Sequence, residues 1–184
     1  QSSGYYLVSS KNQGKCSIYD SAWSSVTAYC YNESMGFGAN VYLEQGETYY
    51  IHISPTEENA AWNINSLQTT DEYSYRILEN GTVEILKYTG NSVSVDVPET
   101  IDGNIVTSIG YGAFAENSNL EEVTIPSKVS DLQYGAFQSC KNLKSVKFEQ
   151  DSELQTIGSS TFYSCEKLTD IVIPDGVEEI GKAG

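Results

Sequence analysis

Two rhythms of apolar and polar positions run along the chain. Residues 5–8, 16–19, 26–31, 38–43, 48–53 and 62–64 are short strand-like runs, rich in apolar and aromatic residues and parted by polar turns. Short strands with polar turns about every ten residues predict an antiparallel β-sandwich. The polar stretch Gln68-Thr69-Thr70-Asp71-Glu72 then sets the expected boundary between a 1–70 module and a 71–184 module. Just past it, residues 75–86 hold two strand-like runs around Asn80-Gly81, which predicts a β-hairpin.

From about residue 91 the rhythm lengthens into a repeat. Gly112-Ala113-Phe114, Gly135-Ala136-Phe137 and Ser160-Thr161-Phe162 lead to Leu120, Leu143 and Leu168 in turn. The phenylalanines are 23 and 25 residues apart, and Ile109, Leu132, Ile157 and Ile180 step by 23, 25 and 23. Each turn feeds a β-rich run, at residues 122–126, 145–149 and 170–174, with an earlier equivalent at 94–98. One such unit cannot bury an apolar face alone, whereas stacked units bury a continuous ladder, so the pattern predicts a solenoid. Period 2 aims Val95, Val97, Val123, Ile125, Val146, Phe148, Ile171 and Ile173 inward. It aims Ser94, Asp96, Glu122, Thr124, Ser145, Lys147, Asp170 and Val172 outward. Proline ends three of the strands, since it has no N–H to pair. The stretch from Phe to Leu has room for a turn or two of helix at most. A terminal solenoid face must be covered, which makes the Asn80-Gly81 hairpin the expected N-terminal cap.

Asn117, Cys140 and Cys165 occupy one repeat position. Asn and Cys can both donate to a carbonyl at a turn, and a free thiol is readily buried, so structural thiols are expected. A Cys140–Cys165 disulfide, a metal site and a nucleophile are the competing readings. The chain has 1 histidine, His52, outside the repeats, which removes Cys-His chemistry from them. Cys16 and Cys30 are symmetric about Trp23. A hairpin turning there would pair Tyr19 with Thr27 and set Cys16 opposite Cys30, near disulfide distance. Bridged and reduced states both stay open.

The repeat pattern Ile-Gly-x-x-Ala-Phe-x-x-Cys-x-x-Leu-x-x-Ile-x-Ile-Pro resembles the BspA-like leucine-rich repeats of bacterial surface proteins, over roughly residues 92–184. Asn117 departs from it for Cys, Gln133 for Gly and Glu149 for Pro, and residues 150–152 lengthen one loop. Ile180-Gly181-Lys182-Ala183-Gly184 is similar to the start of a further turn, so the array is expected to be cut there. The resemblance implies a secreted or cell-surface bacterial protein, commonly tied to adhesion, and names no ligand. Residues 43–53, with Ile18 to Trp23, resemble strand pairs of bacterial extracellular sandwich modules, among them prepeptidase C-terminal-type domains and carbohydrate-binding jelly rolls. That implies an accessory module beside other secreted domains.

Composition narrows the function further. Ten basic against 25 acidic residues give a net charge of −15. Nucleic acid and anionic membrane surfaces both require a basic footprint that this chain lacks. No apolar run is long enough to span a bilayer, and residues 1–4 do not form a signal peptide. Nucleophile-elbow, Walker and dinucleotide-binding motifs are absent. The carboxylate pairs Glu57-Glu58, Glu121-Glu122 and Glu178-Glu179 have diverging side chains on strands and read as solvated surface. No cofactor is expected, and calcium stays open. The chain is therefore read as mainly β, non-enzymatic and monomeric: a binding or adhesion segment for an extracellular protein or polysaccharide. The alternatives are an ancillary carbohydrate-binding segment of a secreted polysaccharide-degrading enzyme and an inert display spacer. Candidate contacts are Glu122, Thr124, Ser145, Lys147 and Asp170 on the strand face. Trp23 at a turn tip joins them, and Tyr111 and Tyr134 share a repeat position and would stack at the surface.

Overall fold

A computed structural model describes residues 4–10, 14–19, 29–33, 36–43, 50–55, 62–66 and 68–184. Up to residue 66 it describes the main chain alone, except at Ile18, and the same holds for Asp170. The chain divides into two compact units, Gln1–Thr69 and Thr70–Gly184.

In the first unit the strands are β1 (Gly4–Ser10), β2 (Gly14–Tyr19), β3 (Tyr29–Glu33), β4 (Gly36–Leu43), β5 (Tyr50–Pro55) and β6 (Trp62–Ser66). One antiparallel sheet runs β3-β4-β1-β6, and β2 pairs antiparallel with β5. Each strand overlaps a segment read as a strand between polar turns. The pairing expected of a hairpin about Trp23 is not the one β2 and β3 make, and residues 20–28 lie outside the described residues. Cys16 lies opposite Ile53, and Cys30 lies opposite Ala39. The physical reason is loop length: β3 turns straight into β4, with Glu33 opposite Gly36, and a short closure costs less entropy than the longer link from β2. The thiols themselves, and the side chain of His52, lie outside the described residues.

The second unit begins after β7 (Gln68–Thr69) with the hairpin β8 (Tyr73–Ile77) and β9 (Val83–Tyr88). Ile77 faces Val83 across the turn, and Gly81 adopts a φ of 82°. An L side chain rarely takes that value, so the glycine is needed there. The repeats follow as β10 (Ser94–Asp96), β11 (Thr100–Ile101), β12 (Asn104–Ile109), β13 (Glu122–Ile125), β14 (Asp131–Leu132), β15 (Ser145–Phe148), β16 (Thr156–Ile157), β17 (Asp170–Ile171) and β18 (Glu179–Ile180). They build two parallel sheets of the solenoid. One runs β10-β13-β15-β17, and the other carries β18-β16-β14-β12-β9 with β8 beyond β9. The hairpin thus covers the N-terminal end of the second sheet, with Ile85 beside Ile109. Asp102 and Gly103, both at positive φ, turn β11 back antiparallel onto β12.

The core is a set of ladders between these sheets. Val95, Val97, Val123, Ile125 and Val146 are buried, and Phe148, Ile171 and Ile173 pack against them, as period 2 requires. Rings from successive turns stack: Tyr88 on Phe114 at 5.0 Å, Phe114 on Phe137 at 5.0 Å, and Phe137 on Phe162 at 5.7 Å. Tyr88 of the hairpin therefore extends the phenylalanine ladder of the repeats, and Tyr73 caps it at 5.3 Å.

No helix forms among the described residues. Each turn contains two left-handed residues, Gly112 and Glu116, Gly135 and Ser139, Ser160 and Ser164. A left-handed residue interrupts the run of right-handed dihedrals that a helix requires. The turn amides instead bond across repeats: those of Gly112, Phe114 and Glu116 donate to the carbonyls of Tyr134, Ala136 and Gln138. The turns are thus a third side of hydrogen-bonded ladder.

Candidate functional site

The strand face is set by the parallel register of β10, β13, β15 and β17. Ser94, Glu122, Ser145 and Asp170 form one row, and Asp96, Thr124 and Lys147 the next. Glu122 and Lys147 are exposed, while Thr124 and Ser145 are half-buried. Register also brings opposite charges together, with the Lys147 ammonium 3.2 Å from a Glu122 oxygen. Lys144 reaches Glu121 at 2.6 Å, Lys141 reaches Glu166 at 3.5 Å, and Lys128 pairs with Glu153. These exposed pairs link neighbouring repeats and each adds about 0–1 kcal/mol. The Glu121 carboxyl is held below the usual carboxylate range by the Lys144 hydrogen bond.

Beside this face lies an open groove of about 650 Å³, lined by residues 145–149, 151, 152, 172 and 174–176. The repeat register explains it. β13 and β15 pair from Glu122 through Phe148, but β15 and β17 pair only at Ser145–Asp170 and Val146–Ile171. Beyond Ile171 the chain leaves the sheet, and the insertion at residues 150–152 widens the same place. Val172 continues the outward row of Asp96, Thr124 and Lys147 and is 79% exposed. The expected contacts Ser145 and Lys147 line this groove, with Glu149, Asp151, Ser152, Val172 and Asp175. Those five were not singled out as contacts, although period 2 aims Val172 outward and the insertion at 150–152 contains Asp151 and Ser152.

Tyr111 and Tyr134 do stack, with centroids 5.0 Å apart, but the expected exposed pair is half buried. Tyr111 is 7% exposed and Tyr134 39%. The Tyr111 ring is covered by Tyr134 of the next repeat, whereas Ser159 stands where a third ring would cover Tyr134. Trp23 lies outside the described residues.

The cysteines are held as turn donors. The Cys140 thiol donates to the Phe114 carbonyl and the Cys165 thiol to the Phe137 carbonyl, each at 3.1 Å, and both are free. Burial pushes the Cys140 thiol up to about 12 and Cys165 up to about 11, so neither is a ready thiolate. Asn117 serves its turn differently, its side-chain oxygen accepting from the Asn119 and Leu120 amides at 3.0 and 3.1 Å. No group of His, Cys, Asp and Glu able to hold a metal ion occurs among the described residues. Among the same residues no helix is long and apolar enough to cross a membrane.

Stacked parallel strands, a phenylalanine ladder and a donor ladder together define one repeat architecture, and the BspA type leucine rich repeat region matches residues 84–183 in six copies. The chain belongs to the BspA-type leucine-rich repeat family. A leucine rich cell surface protein of Faecalibacterium prausnitzii A2-165 is similar over 64% of this chain, at 32% identity and a TM-score of 0.59. The match spans 33% of that protein's length. A leucine-rich repeat protein of Bacteroides capillosus ATCC 29799 is similar over 65% of this chain and 94% of its own, at 28% identity and a TM-score of 0.56. The pneumococcal vaccine antigen PcpA shares the fold at 21% identity and a TM-score of 0.52, over 63% of this chain and 34% of its own. No curated protein matches the chain.

The match from residue 84 makes β9 part of the BspA-type array, which is why Tyr88 continues its ring ladder. The departures from the family pattern also gain reasons. Gln133 replaces a glycine, and its amide donates to the buried Glu84 carboxylate at 2.6 Å and to the Ser108 hydroxyl at 3.2 Å. Gly110, between them, carries no side chain to block that reach. Glu84 also pairs with Arg76 of the hairpin. Glu149 replaces a proline and so donates a main-chain bond to the Ile125 carbonyl at 3.0 Å, while its carboxylate accepts from the Ser127 amide at 3.0 Å. Pro126 and Pro174, at the equivalent positions, have no N–H to offer.

Proposed function

We propose that this chain is a non-catalytic binding segment of a secreted or cell-surface bacterial protein, and that it holds a protein partner in the groove beside β15. The groove is the observation that carries the reading. It lies where β17 leaves β15, and exposed Val172 lines it. A partner that covers this side chain gains the burial the repeat stack does not supply. The surface location of the Faecalibacterium relative supports a similar setting here.

The test is a panel of purified extracellular and cell-surface proteins, immobilised and titrated with the 184-residue chain. Saturable binding to a panel member is expected, weakened about fivefold or more by Val172→Gln. Ile105→Gln makes the same change at an exposed position away from the groove and is expected to leave affinity unchanged. Equal effects of the two variants, or no binding at all, would overturn the reading.

The first unit is read in the same proposal as a β-sandwich accessory module separate from residues 71–184. The two antiparallel sheets β3-β4-β1-β6 and β2-β5 support it. Limited proteolysis is expected to cut between residues 66 and 72 and to leave a stable C-terminal fragment. Cuts first inside the repeats would count against it.

A further inference from the structure

The groove beside β15 also carries the chemistry of its occupant, which rests on the binding reading above. Its charged lining residues are Lys147, Glu149, Asp151 and Asp175. The cation is already neutralised, since Lys147 lies 3.2 Å from Glu122, outside the groove. Glu149 accepts a neutral amide from Ser127, which leaves its charge in place. Asp151 and Asp175 are exposed and have no hydrogen bond or ion pair among the described residues. Negative charge without a counter-charge therefore lines the groove together with the apolar Phe148, Val172 and Pro174.

The main chain adds a direction. β17 leaves β15 after Ile171, so Lys147 and Phe148 have no ladder partner on that side, and Pro174 has no N–H to supply one. An extended peptide presents alternate side chains to opposite sides. We infer that the groove takes an extended segment of a partner protein in which basic side chains alternate with aliphatic ones. The basic residues meet Asp151, Asp175 and Glu149, and the aliphatic ones cover Val172 and Phe148. A volume of about 650 Å³ suits a few side chains and not a folded element. The overall charge of −15 repels acidic segments and favours encounter with basic ones.

The probe is an acetylated, amidated hexapeptide of alternating Lys and Val, carrying a fluorophore and titrated by anisotropy at physiological salt. Its counterpart alternates Glu and Val. The paired variant Asp151→Asn with Asp175→Asn removes two groove charges, and Asn tolerates the positive φ of Asp151. The control Glu79→Gln with Glu99→Gln removes the same charge from exposed positions in the hairpin and the first repeat. The groove pair is expected to weaken Lys-Val binding about fivefold to tenfold, the scale of two exposed ion pairs, and the control less than twofold. Hydrogen exchange is expected to slow at residues 145–152 and 172–176.

Equal losses in both double variants would show attraction to net charge alone and would overturn this inference while leaving protein binding in the groove intact. Equal affinity for the Glu-Val peptide, or protection of these residues by calcium with no peptide binding, would do the same. Failure of both peptides together with every panel protein would overturn both readings.

Discussion

Replacing Phe137 by alanine is expected to break the middle of the ring ladder and to destabilise the array more than the same change one repeat later. Phe137 is fully buried and stacks on Phe114 at 5.0 Å and on Phe162 at 5.7 Å. A buried Phe→Ala change costs about 3–5 kcal/mol. Two ring contacts, each adding about 0.5–1.5 kcal/mol beyond area, place Phe137→Ala near the top of that range. Phe162 is only partly buried and has a single ring contact, so Phe162→Ala is expected at about 2–3 kcal/mol. Solenoid stability is a sum over neighbours, and removal of an inner ring loses two interfaces against one. Urea denaturation of both variants, followed by far-ultraviolet circular dichroism, measures the difference. With a slope of about 1–3 kcal/mol/M, the Phe137→Ala midpoint should fall below the Phe162→Ala midpoint by about 1 M. A Phe162→Ala loss equal to or greater than that of Phe137→Ala would refute the nearest-neighbour reasoning.

Three further outcomes are expected. Gly158→Ala places a Cβ 2.7 Å from the Tyr134 amide nitrogen and 2.8 Å from the Gln133 carbonyl carbon, both main chain, and should cost about 1–3 kcal/mol. Gly176→Ala, whose nearest neighbour is 3.4 Å away, should be close to neutral in the same melt, and the reverse order would contradict the packing. Arg76→Ala removes the cationic partner of the buried Glu84 carboxylate and is expected to cost about 2–3 kcal/mol, less than a fully buried pair because Arg76 is partly solvated. A change within a few tenths of a kcal/mol would show that Gln133 alone satisfies Glu84. Finally, the folded state keeps Cys140 and Cys165 protonated up to about 12 and 11, against 9.0 for the free thiol. Burial also raises Tyr73 above the ordinary tyrosine value. Above pH 9.0 the unfolded chain loses protons that the folded chain retains, so stability is fully present below that pH and falls as pH rises. Iodoacetamide at pH 8 should leave the buried Cys140 unmodified until denaturant is added, with the half-buried Cys165 reacting faster, and rapid native labelling of Cys140 would contradict its burial.

The repeat half was legible because its signals are local and repeated. Phe114, Phe137 and Phe162 announce their own stacking by spacing, and Val123 and Ile125 announce their inward aim by alternation. Asn80-Gly81 carries its turn in two residues. The second parallel sheet was harder to see, since β14, β16 and β18 are two residues each and show no alternation. The turns were read as leaving room for helix because serine and glutamate at residues 116, 139 and 164 do not advertise the left-handed backbone they adopt. The Cys16–Cys30 hairpin misled because symmetry about Trp23 says nothing of which strand competes for β3. The adjacent β4 wins by the shorter closure.

The sequence by itself determined the repeat length, the inward ladder, the hairpin and the family, because each depends on residues a few positions apart or on a period that recurs. Tertiary structure alone decided which outward residues are free to bind. Glu122 and Lys147 stand 25 positions apart and neutralise each other, and Tyr111 is covered by Tyr134. Asp151 and Asp175, from different repeats, both line a groove that lies where β17 leaves β15 early. Those outcomes depend on how one repeat seats against the next, a relation between distant segments that no local pattern encodes.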